Sequence, residues 1–278
     1  MIGDIIQYEF LRNAVLAGFL ASIACGVIGT YIVVRRIVFI SGGISHAAFG
    51  GIGLGYYLGI NPVLGAVVFS VLSAFGIGVV NRFVKQSEDT VIGILWALGM
   101  ALGILFISLS PGYAPDLFGY LFGNILTVPK SDIYLLGILN LLVLLVTVAF
   151  YKDILAISFD EEFAQIQGRS INFIYFLMLG LIGITVVLII KIVGIILVIS
   201  MLTIPPAISL HYTKRLSTMM FLSVILGIFF SLFGLYLSYK YDLQSGATII
   251  LTAVGGYLVA YGTKLIKRKI AKRKFSDA

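Results

Sequence analysis

Residues 171–211 read INFIYFLMLGLIGITVVLIIKIVGIILVISMLTIPPAISLH, with Lys191 as their one charged residue. A helix needs roughly 20 apolar residues to cross the hydrocarbon core of a bilayer. Because this run is about twice that length, we divide it at Lys191 and Gly194 into two spans. Lys191 would then extend its ammonium group to the membrane boundary. The run therefore predicts two consecutive membrane-spanning helices.

Apolar stretches of about 20 residues also occur in the rest of the sequence. Hydrophobic residues make up 60% of the 278 residues and charged residues 11%, and the mean hydropathy is +1.11. A soluble domain lacks the polar residues to cover so much apolar surface, whereas lipid tails solvate it. We predict an all-α, polytopic integral membrane protein with one domain over residues 1–278, and eight helices if 171–211 forms only one. The nine predicted spans are 11–34, 40–59, 63–83, 90–109, 132–151, 171–190, 193–211, 216–238 and 246–266.

The basic residues fall mainly on one side of the predicted bundle. Nine spans place the termini on opposite sides, and cytoplasmic loops carry an excess of Lys and Arg. The N-terminus is therefore predicted outside and the C-terminus in the cytoplasm. Residues 264–278 form a basic tail that we interpret as an anchor on anionic lipid, with nucleic-acid binding as the alternative interpretation. The side with fewer basic residues holds Arg12, Lys130, Lys191 and Lys240.

The sequence lacks the usual signatures of an energy source or an active site. Gly262-Thr263-Lys264 does not follow the order of a phosphate-binding loop, and no metalloprotease or nucleophile-elbow motif occurs. A membrane-embedded enzyme would need a polar catalytic cluster, and an ion-gradient carrier usually needs a carboxylate at the midplane. Away from their ends, the spans offer neither. The sequence therefore indicates a non-catalytic transport protein driven by another subunit.

A glycine-dense stretch, residues 35–55, contains His46, one of the two histidines. Glycines in such a span let helices approach closely, or let the backbone unwind where it lines a cavity. A neutral imidazole is a ligand for zinc, manganese or iron. The alternative is a histidine that donates a hydrogen bond to a neighbouring carbonyl within a helix contact.

Residues 156–168 form an acidic segment in a loop that we predict to be cytoplasmic. Ser158 or Asp160 would cap a short helix, with acids in its first turn and Gly168 at its end. Phe159, Phe163 and Ile166 would form an apolar face. The segment is typical of a docking element for a cytoplasmic partner, or of a solvated interfacial helix.

Two prolines interrupt the apolar stretch 193–207. Pro205 and Pro206 remove backbone donors and predict a kink in that helix. His211 follows at the predicted cytoplasmic end, where we interpret it as an interfacial residue rather than a metal ligand.

Four of these segments, taken together, resemble permeases of the ABC-3 family, the bacterial importers of zinc, manganese and iron. The resemblance covers nearly the whole chain. Its motifs are Arg35-Arg36 with Ile44-Ser45-His46-Ala47, then Asp160-Glu161-Glu162-Phe163-Ala164 with Gly168, then Val193-Gly194 to Pro205-Pro206-Ala207, and Asp242-Leu243-Gln244-Ser245-Gly246-Ala247-Thr248.

The resemblance implies a homodimeric permease in the cell (inner) membrane that moves divalent metal ions and binds no cofactor of its own. Two cytoplasmic ATPase subunits would dock on residues 158–168, and an extracytoplasmic solute-binding protein would deliver the metal. His46 would contact the metal, with Ser45, Gly42 and Asp242 along its path. The family commonly has Asp where this chain has Gly42, so a metal chelate or another small solute is the alternative substrate.

The charge distribution makes a prediction about orientation. A Pro115→Cys variant should react with an impermeant thiol reagent added outside, and a Gln165→Cys variant should not, because the two positions fall on opposite sides of the membrane. Cys25, inside the first span, should stay unlabelled. The reverse labelling pattern would invert the predicted orientation.

Overall fold

The computed structural model describes residues 7–84, 87–111 and 123–276. Side chains are described up to residue 266, apart from that of Glu88. The secondary structure in these ranges is helical. A π-helical turn (Val80–Val84) follows α3, and a 3-10 turn (Ile125–Thr127) precedes α5. The α-helices are α1 (Glu9–Val34), α2 (Val38–Leu58), α3 (Pro62–Val79), α4 (Glu88–Leu109), α5 (Lys130–Ala149), α6 (Tyr151–Phe159), α7 (Glu161–Ile166), α8 (Ile171–Val193), α9 (Ile195–Tyr212), α10 (Leu216–Tyr241) and α11 (Ser245–Ser276).

Nine helices in these ranges are long and apolar enough to cross a membrane, all except α6 and α7. They coincide with the nine predicted spans, so the predicted polytopic helical fold is confirmed. The division of 171–211 is also confirmed, because α8 ends at Val193 and α9 begins at Ile195. Between them Gly194 has φ 82° and ψ 165°, a conformation essentially restricted to glycine.

Ion pairs at the two ends of the bundle join the helices there. At one end, which we call the arginine-rich end, Glu161 pairs with Arg35 and Arg82, and Asp153 pairs with Arg169. At the opposite end, salt bridges join Glu9 to Lys130 and Asp132 to Lys191. Pro115, where we predict external labelling, lies outside the described residues.

Helix α1 forms the centre of the bundle. It contacts α2, α5, α8, α9 and α10 and is buried along most of its length. Much of its surface consists of Ala, Gly and Ser, which allow neighbouring helices to come close, and Cys25 is buried among them.

A seam of hydroxyl groups joins α1 to α9 and α10. Thr30 Oγ1 and Ser223 Oγ lie 3.2 Å apart, and Ser223 donates to Ser209 Oγ at 3.0 Å. Nearer the opposite end, Ser22 Oγ lies 3.2 Å from Ser231 Oγ. Hydrogen bonds between helices stabilise packing where lipid offers no polar alternative, each by about 0.6 kcal/mol on average.

Helix α2 packs between α3 and α4 through backbone contacts. A Cβ at Gly51 would collide with the carbonyl of Gly65 in α3, and one at Gly50 would lie 3.0 Å from the carbonyl oxygen of Gly99 in α4. α2 nevertheless stays helical from Val38 to Leu58. Of the two roles considered for these glycines, close helix approach is the one observed.

The α2–α3 contact makes a prediction about stability. Gly51→Ala should lower the free energy of unfolding by about 1–3 kcal/mol, because the new methyl group forces the two backbones apart. Gly137→Ala is the control, since a Cβ there would meet nothing within 4 Å. Thermal unfolding of both variants in detergent measures the difference, and equal melting temperatures would contradict the packing argument.

Candidate translocation site and coupling segment

His46 lies near the middle of α2 and faces α4. Its ring stacks on the indole of Trp96, with centroids 3.9 Å apart and planes 14° from parallel. The side chain is half-buried, and Nδ1 is buried without a hydrogen-bond partner among the described residues. The stacking fixes the imidazole plane, and Nδ1 is not committed to a carbonyl. An imidazole nitrogen in this state is able to bind a transition metal.

Gly42 and Ser45 lie close to His46 in sequence but differ in surroundings. A Cβ at Gly42 would lie 3.4 Å from Cζ3 of Trp96, so Gly42 and His46 face the same indole one helical turn apart. Ser45 is fully buried, and its hydroxyl donates to the carbonyl of Ser41 at 2.7 Å. The surface around Trp96 therefore joins Gly42 to His46 and leaves Ser45 inside the helix packing.

Asp242 is not brought to this surface. It ends α10 at the end of the bundle opposite the arginine-rich end. The residue is exposed and has the left-handed conformation, with φ 51° and ψ 45°. Asp tolerates that region better than most residues. His46, by contrast, lies near the middle of α2.

The predicted coupling segment folds as two short helices, α6 and α7. Asp160 is the N-cap of α7, and its Oδ1 accepts a hydrogen bond from the Phe163 amide at 2.9 Å. Ser158, the other predicted cap, donates instead to the carbonyl of Ile154. Gly168 follows α7 with φ 74°, as expected for a residue that ends a helix.

Glu161 joins this segment to two membrane-spanning helices. Its carboxylate accepts from Arg35 at 2.9 Å and from Arg82 at 2.6 Å. Arg35 follows α1, whereas Arg82 lies in the π-helical turn after α3 and also donates to Asn172 at 2.6 Å. The Arg82 guanidinium lies 4.3 Å from the centre of the Tyr175 ring. We call Glu161, Arg35 and Arg82 the Glu161 clamp.

The clamp holds the Glu161 carboxyl in its ionised form. Burial raises the pKa of Glu161, but the hydrogen bonds and charges of Arg35 and Arg82 outweigh burial, and the pKa lies below its usual value. Such a group stabilises the fold above its unfolded pKa, about 4.3, and this stabilisation is lost only as the pH falls through the lower folded pKa. The clamp is therefore intact at neutral and mildly acidic pH.

The other side of the segment is exposed and apolar. Phe159, Phe163 and Ile166 are 59%, 54% and 84% exposed. Glu162 is exposed beside them, whereas Ala164 is fully buried against the bundle. The segment is thus fixed to the bundle on one face and presents apolar side chains on the other.

Pro205 and Pro206 lie inside α9, which continues through them from Ile195 to Tyr212. Both are buried, and the carbonyl of Pro205 accepts from Ser209 at 2.9 Å. His211 lies at the arginine-rich end, where Nδ1 is 2.9 Å from Lys264 Nζ. The interfacial position of His211 stays a prediction.

Besides the pairing of Glu161 with its two arginines, two contacts were not predicted from the sequence. The first is the stacking of Trp96 on His46, which lies 50 residues earlier in the chain. The available signal was that Trp96 is the single tryptophan of the chain. Lys191, predicted to reach the membrane boundary, pairs with Asp132 at 2.6 Å. Asp132 is buried at the start of α5, and its position in an apolar span pointed to a partner.

Comparison with known proteins identifies the family. Residues 7–264 match the model of the ABC 3 transport family. The chain belongs to this family. It is a multi-pass membrane permease of an ABC transporter and not its catalytic subunit, so it works with an ATPase and a solute-binding protein.

Individual relatives cover nearly the whole permease. An uncharacterized membrane protein of Synechocystis sp. is 48% identical over 255 residues, which span 92% of this chain and 91% of that protein. The manganese import system permease protein ScaB of Streptococcus gordonii is 36% identical, over 97% of this chain and 100% of its own length. The structure of PsaBC from Streptococcus pneumoniae in complex with Fab superposes with a TM-score of 0.84 at 34% identity, covering 94% and 95% of the two chains.

The Glu161 clamp makes a prediction about local stability. Glu161→Gln should speed amide hydrogen exchange in residues 160–166 by at least about tenfold, because each charge-assisted hydrogen bond contributes about 1.5–3 kcal/mol. Glu162→Gln is the control, since Glu162 shows no ion pair with the described residues. For the wild type, the protection of this segment relative to α1 should stay constant from pH 7.5 to 5.5. Equal exchange in the two variants would show that the clamp does not hold α7.

Proposed function

We propose that this permease imports divalent transition metal ions, zinc, manganese or iron, into the cytoplasm. The observation that carries the proposal is the His46 ring, whose Nδ1 has no partner in the described structure and lies in the middle of a membrane-spanning helix. The names of relatives support the substrate class, since ScaB is a manganese import system permease. A metal chelate is the second candidate substrate, because Gly42 supplies no carboxylate beside His46.

The orientation follows from the distribution of charge. We place the arginine-rich end, with the basic tail 264–278, in the cytoplasm and the N-terminus outside. Residues 156–168 then face the compartment that contains ATP. The exposed side chains Phe159, Phe163 and Ile166 are the proposed contact with the ATPase.

A metal path along His46 favours a dimer. No cluster of three or more His, Cys, Asp or Glu residues occurs in the described ranges, so no such cluster accompanies His46 within one protomer. A divalent transition metal takes four or more ligands. Two His46 rings near a two-fold axis would double the protein ligands without trapping the ion.

Membrane-spanning helices with few buried residues are the candidates for the homodimer contact. Among the nine spans, α4 and α11 have the smallest share of buried residues. Large apolar side chains of both helices are exposed, including Ile94 and Leu98 in α4 and Leu251 and Val259 in α11. Trp96 is also on α4, so pairing through this helix would bring the His46 surface near the axis. We propose α4 and α11 as the homodimer contact.

Uptake by a His46→Ala variant tests the metal path. Import of radioactive manganese should fall at least about tenfold, because the variant loses the one imidazole on the path, while calcium and magnesium should not replace the metal. His211→Ala is the control, since that ring lies at the arginine-rich end beside Lys264. Wild-type manganese uptake by His46→Ala would exclude the proposed path.

A charge on α7 tests the docking surface. Phe163→Asp should leave the permease in the membrane, because the ring is more than half exposed, but should abolish stimulation of the ATPase. The matched control is Gln165→Asp, an exposed position on the same helix that adds the same charge outside the apolar face. ATP hydrolysis by the reconstituted complex measures the effect. Full stimulation of the Phe163→Asp complex would rule out this surface.

A further inference from the structure

A groove of about 870 Å³ opens between α1, α5 and α10, on the half of the bundle nearer the arginine-rich end. Its volume lies within the usual range of ligand sites, about 300–1,000 Å³. The floor is formed by Ile23 and Val27 of α1, and the walls by apolar side chains of α5 and α10, including Val148 and Val224. Neither the ATPase contact nor the His46 surface includes this groove.

The mouth of the groove is polar and carries an unpaired positive charge. Arg169 and Asp153 lie there as an ion pair. Lys152 beside them is exposed and has no acidic partner in the described ranges. Tyr151 and Ser217 also line this end. The groove is therefore apolar inside and cationic at its mouth.

A second polar group lies deeper, on the wall formed by α5. Thr147 is 5% exposed, lines the groove, and its Oγ1 has no hydrogen-bond partner in the described structure. A hydroxyl buried without a partner destabilises a fold. A ligand with an acceptor about one helical turn inside the mouth would satisfy it.

We propose that this groove binds an anionic glycerophospholipid. The headgroup phosphate pairs with Lys152, an ester carbonyl accepts from the Thr147 hydroxyl, and one acyl chain lies over Ile23 and Val27. Each polar group then meets its complement, in the order in which phosphate, ester and acyl chain occur in the lipid. A neighbouring protein helix would cover the apolar floor but would leave the Lys152 charge uncompensated.

Fluorescence quenching by brominated lipid tests the site in the full-length chain. The chain has one tryptophan, so a Trp96→Phe background allows a single reporter, Phe221→Trp, on the groove wall. A second reporter, Phe229→Trp, lies on an exposed part of α10 outside the groove. Each is reconstituted with brominated phosphatidylglycerol or brominated phosphatidylcholine at equal mole fraction. For each reporter, the quenching constant with brominated phosphatidylglycerol is divided by that with brominated phosphatidylcholine. This ratio does not depend on how deep the reporter lies in the bilayer.

At position 221 phosphatidylglycerol should be preferred by about fivefold, the effect expected of one lysine near an anionic lipid. The ratio at position 229 should be close to one. Lys152→Ala should remove the preference at 221, whereas Lys240→Ala, a change at the opposite end, should not. Equal ratios at both reporters, or a preference that survives Lys152→Ala, would overturn the proposal.

Thr147→Val separates lipid binding from a purely structural role. In lipid-free detergent the variant should melt at or above the wild-type temperature, because it removes an unsatisfied hydroxyl at nearly constant volume. The rise in melting temperature on adding phosphatidylglycerol should be smaller than in the wild type. An unchanged rise would show that Thr147 does not contact the lipid.

Discussion

The contact of α2 with the backbones of α3 and α4 fixes the surface that carries His46. Lipid tails are as apolar as leucine, so helices in a membrane associate through close packing rather than through exclusion of water. Gly51 and Gly50 allow that packing on two sides of α2. The indole of Trp96 then lies over the imidazole of His46. The position of the imidazole therefore depends on residues that have no side chain.

The membrane spans could be predicted because each is encoded locally. A bilayer requires a fixed length of apolar helix, and the interruption at Gly194 has a conformation that glycine alone readily adopts. The cap at Asp160 and the positive φ of Gly168 are equally local, and they too follow from the residue type. Local rules fixed these features within a few residues.

The candidate site was less predictable because its contacts join distant parts of the chain. The sequence predicted His46 and Glu161 as site residues and placed Arg35 in a family motif. It predicted neither the indole beside His46 nor the pairing of Glu161 with two arginines. Arg35 lies 126 residues from Glu161, and Arg82 lies 79 residues away. A single sequence does not specify such pairings. The exposed apolar face of the coupling segment, by contrast, follows from the spacing of Phe159, Phe163 and Ile166.

The central position of α1 has a consequence for how the protein is made. Ribosomes release the N-terminus first, so this helix enters the bilayer before the helices that surround it. Its hydroxyl contacts lie far ahead in the chain, since Thr30 meets Ser223 across 193 residues and Ser22 meets Ser231 across 209. Until α10 is synthesised, these groups face lipid or the insertion machinery. The earliest helix of the nascent chain is thus among the last to be completed, and a truncated chain would display hydroxyls that are hydrogen-bonded only within their own helix.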